Sequence, residues 1–142
     1  MKKIIIAALI SGCLLLACTA KKAITTPDPS KLAGTWELNS ITGSSTSFNE
    51  LYPNKKPTIV FDLVTNKISG YTGCNSFNGP LNVDVNKINF TEAMATTRMF
   101  CQGQGENVFM ETLKKVNTWS VSNDTTLNLI AGDIAVMRFS KK

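Results

Sequence analysis

Cysteine is the residue type through which this chain has the most scope for chemistry. The 142 residues include four cysteines and no histidine. Without histidine there is no Ser/His/Asp or Cys/His nucleophile pair and no His-ligated metal site. The two cysteines outside the N-terminal segment, Cys74 and Cys101, cannot complete a tetrahedral zinc shell by themselves and do not form a C-x-x-C redox motif. We therefore expect no metal and no cofactor.

The acidic side chains show no pattern that is typical of an active site. A glycosidase needs two carboxylates that face each other across a sugar, and spacing along this chain does not establish such a pair. The serines lie mostly in predicted loops, without a recognisable motif around them. The sequence therefore favours a protein that is not an enzyme, with no catalytic residue. The acidic residues concerned are Glu37, Glu50, Asp62, Asp84, Glu92, Glu106, Glu111, Asp124 and Asp133.

The N-terminal segment has the pattern of a bacterial export signal. Two lysines precede an apolar run at residues 4–16, which is shorter than the roughly 20 residues that a transmembrane helix needs. The run ends in LLAC at residues 15–18, which looks like a lipobox. We predict a signal peptide at residues 1–17 and lipidation of Cys18. The alternatives are a lipobox that ends at Cys13 and a plain secretory signal with an incidental cysteine.

Lipidation would hold the protein on a membrane of the cell envelope. Bacterial lipoproteins carry two or three acyl chains, and each buried CH₂ adds about 0.8 kcal/mol to membrane binding. Thr19, directly after the predicted lipidated cysteine, fits sorting to the outer membrane, where the domain would face the periplasm or the cell surface. Residues 18–31 contain two prolines and little to bury, so we predict a flexible tether there.

The basic charge of the chain belongs to its N-terminal part. The formal net charge is +5, but residues 1–31 contain five lysines and one aspartate. Residues 32–142 contain ten basic and nine acidic side chains, so the domain is nearly neutral. Nucleic-acid binding needs a basic patch on the domain itself, so we expect no nucleic-acid partner.

The elements that must position the cysteines are short strands separated by turn residues. Apolar and polar residues alternate in these strands, as in a sheet with one buried face. Residues 106–116 instead have the helical period, with Phe109, Leu113 and Val116 at i, i+4 and i+7. We predict a single α+β, mainly β, domain at residues 32–142, in which one helix packs on a curved antiparallel sheet or open barrel of seven or eight strands. The predicted strands cover residues 35–38, 58–63, 68–72, 81–85, 88–90, 118–121, 127–131 and 134–139.

Two short motifs are the most individual parts of the sequence. They are GCNSFNG at residues 73–79 and TTRMFC at residues 96–101. Together with the strand around Trp36 and the helix after the second motif, they resemble the META domain of the HslJ-like heat-shock family, from about residue 32 to residue 139. The resemblance implies a barrel-like α+β fold and a stress-associated role in the cell envelope. It implies no catalytic residues.

Cys74 and Cys101 are the two thiols that remain once the signal is removed and Cys18 is lipidated. In an oxidising envelope, an even number of cysteines indicates a disulfide. We predict that the two are bridged, which closes a loop from residue 74 to residue 101 and contributes on the order of 3–4 kcal/mol in the chain-entropy model. The alternative is two buried thiols that do not meet.

The residues of the first motif have structural interpretations. Gly73 and Gly79 are predicted to form tight turns. Asn75 is typical of a turn former that bonds its own backbone, with a ligand-donating side chain as the alternative. Phe77 is expected in the core rather than at a contact surface. If this motif binds a ligand or partner, its site residues are Asn75, Phe77 and Gly79.

Arg98 is the one cation within the second motif. Its planar guanidinium can hold a carboxylate or a phosphate, or stack on an aromatic ring. The simpler interpretation is an ion pair with an acidic residue such as Glu92 or Asp62. Arg98 is therefore a candidate binding residue whose side chain is expected to be paired within the domain.

The sequence favours a function in binding. A small lipid-anchored domain suits an interaction with an envelope protein, a peptide or a lipid, through an apolar groove between the helix and the sheet. The alternative is a passive, stress-protective envelope protein without a specific ligand. An enzyme that uses a carboxylate pair is the least favoured hypothesis.

Overall fold

The computed structural model describes residues 27–142. The predicted signal peptide and the two candidate lipidation sites, Cys13 and Cys18, lie outside the described residues. None of the helices within residues 27–142 has the length and apolarity that crossing a bilayer requires.

Ten strands form a single antiparallel sheet. Its strand order is β5-β6-β8-β9-β10-β1-β2-β3-β4-β7. Two helices interrupt the succession of strands, α1 between β1 and β2 and α2 between β7 and β8. The strands are β1 (Gly34–Ile41), β2 (Thr58–Asp62), β3 (Lys67–Tyr71), β4 (Ser76–Pro80), β5 (Asn82–Asp84), β6 (Lys87–Asn89), β7 (Ala95–Thr96), β8 (Thr118–Ser122), β9 (Thr126–Ala131) and β10 (Ile134–Lys141), and the helices are α1 (Phe48–Leu51) and α2 (Gly105–Lys115).

The sheet is curled so that its two ends approach each other. Strands β4 and β5 are joined by Leu81 alone, although they lie near opposite ends of the strand order. Neighbouring strands are about 4.8 Å apart, so one linking residue cannot span a flat ten-stranded sheet. Twist and curl must therefore bring the ends together. The predicted mainly β fold with a barrel-like sheet and one main helix is confirmed, with ten strands instead of seven or eight.

The core fills the inside of this curled sheet. Along each long strand, alternate residues point inward, as the two-residue period of a strand requires. Trp36 and Leu38 of β1 are fully buried, and Ile59 and Phe61 of β2 lie beside them. Strands β9 and β10 supply the other wall of the core with Leu127, Leu129, Met137 and Phe139.

Helices α1 and α2 cover one end of the barrel, which we call the helical end. Both helices connect to strand ends that lie at this end of the barrel, namely Ile41, Thr58, Thr96 and Thr118. Helix α2 buries Phe109 and Leu113, and the Phe109 ring lies 5.8 Å from the ring of Phe77 in β4. It spans residues 105–115 where the sequence predicts 106–116, with Glu106 in its first turn and two lysines in its last, an order that the helix dipole favours.

The chain enters the domain at the opposite end, which we call the N-terminal end. There the 3₁₀ turn Pro29–Leu32 is capped by the Asp28 side chain, and Leu32 is fully buried. The Trp36 indole N–H donates to the Leu32 carbonyl at 2.7 Å. The sequence assigns residues up to 31 to a flexible tether, whereas residues 29–32 form this turn in the structure, with Leu32 as its buried residue.

Candidate functional site at the disulfide-linked loop

The loop between β7 and α2 is held at the helical end by a covalent bond. Cys101 in this loop forms a disulfide with Cys74, which precedes β4, and their Cα atoms are 5.9 Å apart. Sequence analysis predicts this pairing, and the structure contains it. The bridge fixes the C-terminal side of the loop beside the start of β4.

Asn75 fixes the same loop by hydrogen bonds. Its side-chain oxygen accepts from the Met99 backbone N–H at 2.8 Å and from the Thr97 hydroxyl at 2.7 Å. Its amide nitrogen donates to the Met99 carbonyl at 3.2 Å and to Glu106 Oε2 at 2.7 Å. Asn75 is only 3% exposed, so these bonds replace the hydrogen bonds to water that its side chain loses on folding. One buried amide thereby joins β4, the loop and helix α2.

The turn before β4 is closed by Thr72, not by the Asn75 side chain. The Thr72 hydroxyl accepts from the Asn75 N–H at 2.9 Å and donates to the Asn75 carbonyl at 3.0 Å. The interpretation of Asn75 as a turn former is therefore wrong, because a buried threonine three residues earlier takes that role and leaves the amide free for long-range bonds. The spacing Thr-x-x-Asn is the only local signal that indicates this arrangement.

Glu106 is a site residue that sequence analysis does not single out. It lies in the first turn of α2, and its Oε2 atom lies 2.7 Å from the Asn75 amide nitrogen and 2.9 Å from Cys101 Sγ. The start of the helix is itself held by Tyr52, whose hydroxyl donates to the Gly105 carbonyl at 2.9 Å. Burial raises the pKa of Tyr52 well above its ordinary value, so this donor stays protonated.

Of the two glycines of the first motif, Gly73 lies in the turn before β4, as predicted, and Gly79 does not lie in a turn. Gly73 has a φ of +103°, and a Cβ atom there would lie 2.6 Å from the Tyr52 ring, so glycine is required for both conformation and space. Gly79 is not in a turn but inside β4, where a Cβ would lie 2.7 Å from the Met94 side chain. Phe77, between them, is buried in the core, as the sequence analysis expects.

Arg98 does not form the predicted ion pair. Asp62 is the last residue of β2 and lies at the N-terminal end of the barrel, whereas Arg98 lies at the helical end. Asp62 accepts hydrogen bonds from Val64 and Thr65 in the β2–β3 hairpin. Glu92 accepts from Asn82 at 2.9 Å. Within residues 27–142, Arg98 forms no salt bridge, and both candidate acids accept hydrogen bonds from other residues. Its side chain instead lines a surface groove.

The loop presents two large apolar side chains to solvent. Phe100 is 95% exposed and Met99 is 61% exposed, although the backbone around them is held by Asn75 and by the disulfide. We call this pair the Met99–Phe100 tip. Beside it lies the groove, with a volume of about 530 Å³, whose lining includes Asn75, Arg98, Cys101 and Glu106.

Comparisons with known proteins agree with this architecture. An NMR structure of a protein from Burkholderia xenovorans is similar over 100% of this chain and 99% of its own, with a TM-score of 0.60 and 15% identity. The crystal structure of a DUF4847 family protein from Bacteroides vulgatus is similar over 78% of this chain and 94% of its own, with a TM-score of 0.53 and 15% identity. At these identities the likeness shows a shared fold.

No curated protein sequence matches the chain. The family model of the META domain, in contrast, matches residues 30–142, which include the whole sheet, both helices and the disulfide-linked loop. The chain therefore belongs to the META domain family.

Proposed function

We propose that this META domain protein is a non-catalytic binding protein of the bacterial cell envelope, held on its membrane by lipid at Cys18. The observation that carries the proposal is the Met99–Phe100 tip. Large apolar side chains that are exposed on a backbone fixed by hydrogen bonds and a disulfide require less ordering of the loop when they enter a partner's pocket, and aromatic residues are frequent in binding interfaces. The stress-associated role is part of the proposal and rests on the resemblance to the heat-shock family.

The position of the tip favours a protein or peptide partner over the lipids of the anchoring membrane. The described chain begins at the N-terminal end of the barrel, where Lys31 bonds Asp124 at 2.6 Å, and the tip lies at the helical end. A tether that runs from the N-terminal end to a lipid anchor would join the barrel at the end opposite the tip. The partner is then another component of the envelope.

Site-specific photocross-linking in intact cells tests this proposal. A photoreactive amino acid in place of Phe100 should give a discrete cross-linked protein, which is identified by mass spectrometry. Val64 provides the matched control, because it is 93% exposed and lies in the β2–β3 hairpin at the N-terminal end. The same replacement at Val64 should not capture that protein. Cross-linking that is absent at both positions, or identical at both, contradicts the proposal and favours a passive protective role.

Membrane anchoring is tested separately by metabolic labelling. Labelled palmitate should be incorporated into the full-length protein, and Cys18→Ala should abolish the label because it removes the acylated atom. Cys13→Ala is the control and should leave the label unchanged. Unchanged labelling in Cys18→Ala, or recovery of the uncleaved chain from the cytosol, would contradict the anchor.

A further inference from the structure

The surroundings of the disulfide contain more hydrogen-bond acceptors than donors. One oxygen of Glu106 and the sulfur atoms of Cys74 and Cys101 all lie within 4.8 Å of one another, and the three residues are partly buried. Glu106 Oε2 is 2.9 Å from Cys101 Sγ, yet a disulfide sulfur carries no hydrogen to donate. The amide nitrogen of Asn75 is the donor at this site, and it lies 2.7 Å from the carboxylate oxygen and 3.0 Å from Cys101 Sγ.

Backbone carbonyls add to this excess of acceptors. The Met99 carbonyl oxygen lies 3.4 Å from Cys101 Sγ, and the Phe100 carbonyl oxygen lies 3.9 Å from Cys74 Sγ. If the disulfide is reduced, each new thiol finds an acceptor already in place. Deprotonated thiols beside a carboxylate, in contrast, need a cation, because three negative groups in a partly buried site repel one another.

We propose that reduction of the disulfide converts this cluster into a binding site for Zn²⁺ or a similar thiophilic divalent cation. Cys74 and Cys101 supply two thiolate ligands, and Glu106 supplies a carboxylate oxygen. These are ligand types that zinc accepts, and three protein ligands plus water make a tetrahedral site with one open position. Sequence analysis excludes a metal because the two cysteines lack a histidine partner; the third ligand is supplied by a glutamate that only the fold brings to them.

The geometry needs only a small adjustment of the ligands. Zn–S bonds of about 2.3 Å place two sulfurs about 3.8 Å apart around a tetrahedral ion, so the two sulfurs move apart once their bond is broken. Asn75 holds the loop through Met99 and holds Glu106, independently of the disulfide, so all three ligands stay close after reduction. The groove gives access, because Cys101 and Glu106 both line it.

The chemistry balances with a dithiol reductant, the class of reagent that reduces protein disulfides by exchange. The reductant transfers two electrons and two protons to the Cys74–Cys101 bond and itself becomes a disulfide. The cation then displaces the two thiol protons, which pass to solvent, and two metal–sulfur bonds form. The disulfide offers no thiolate ligands, so binding is confined to the reduced state.

Cobalt(II) provides a direct spectroscopic test. The full chain carrying Cys13→Ser and Cys18→Ser, so that only two thiols remain, is purified in detergent, reduced with a phosphine and titrated with Co²⁺. We expect thiolate-to-cobalt charge-transfer absorption that saturates at one ion per chain and is displaced by Zn²⁺. The oxidised protein should show none. Absence of the band after reduction, or the same band before it, overturns the proposal.

The carboxylate ligand is tested by a matched pair of variants on α2. In the same background, Glu106→Gln should weaken Co²⁺ binding about tenfold or more, whereas Glu111→Gln, on the same helix but outside the cluster, should not change it. Equal affinity of Glu106→Gln and its parent overturns the three-ligand site. If Glu106→Gln fails to fold by circular dichroism, X-ray absorption of the parent complex decides the question: two sulfur and two oxygen donors support the site, and any other donor set contradicts it.

Discussion

Replacing Asn75 by alanine is expected to lower the free energy of unfolding by about 2–4 kcal/mol, or on the order of 10 °C in Tm. The variant removes a buried side chain that donates to Met99 and Glu106 and accepts from Met99 and Thr97. These partners then lose the hydrogen bonds that hold the loop and α2 beside β4, and a buried donor or acceptor left without a partner is more costly than the hydrogen bond was worth. Urea denaturation of the oxidised protein measures the change.

Asn78→Ala is the control for this experiment. Asn78 is also an asparagine of the same motif, but it lies on the exposed face of β4. Its replacement should change the free energy of unfolding by less than about 0.5 kcal/mol. Equal effects of the two variants would contradict the assignment of Asn75 as the residue that joins β4, the loop and α2.

Reduction of the disulfide, or its removal in Cys74→Ala/Cys101→Ala, is expected to lower the free energy of unfolding by about 3–4 kcal/mol. The bridge closes a loop with a sequence separation of 27 residues, and the freed unfolded chain gains the conformational entropy of that loop. We expect the domain to stay folded, because the core lies in the barrel and Asn75 still holds the loop. The measurement is urea denaturation with and without reductant.

The double variant also serves as the control, since it has no domain disulfide to lose. Its denaturation midpoint should not respond to reductant, whereas that of the wild type should fall. A wild-type midpoint that is insensitive to reductant would contradict a stabilising bridge. The reduced wild type should have the same far-UV circular dichroism spectrum as the oxidised protein. The proposed cation site requires a reduced protein that is still folded.

The structure explains how a loop without regular secondary structure can carry a rigid apolar tip. Short loops on a barrel are usually held by the strands at their two ends. Here β7 is only two residues long and gives little support. The disulfide supports the loop by a covalent bond. Asn75 supports it by hydrogen bonds to Thr97, Met99 and Glu106. The side chains of the Met99–Phe100 tip are therefore exposed on a backbone that is fixed at both sides.

Several properties of this protein follow from local patterns in its sequence. The short apolar segments at residues 127–131 and 134–139, separated by the turn residues Gly132 and Asp133, predict two strands that the structure contains as β9 and β10. The helical period predicts α2 to within one residue at each end. The pairing of Cys74 and Cys101 follows from the cysteine count together with the predicted export signal and lipidation of Cys18, which leave two thiols in an oxidising compartment.

The tertiary structure decided what local patterns do not encode. Strand β4 has the composition of a turn, SFNGP, and becomes a strand because β3 pairs with it along its whole length, since strand propensity depends strongly on context. The side chain of Asn75 bonds Thr97 and Glu106, which lie 22 and 31 residues away in the chain. Arg98 and Asp62, paired in the sequence analysis, lie at opposite ends of the barrel. The physical reason is the same in each case: periodicity reports whether a residue is buried, but which residues meet depends on the register of the strands and the curl of the sheet.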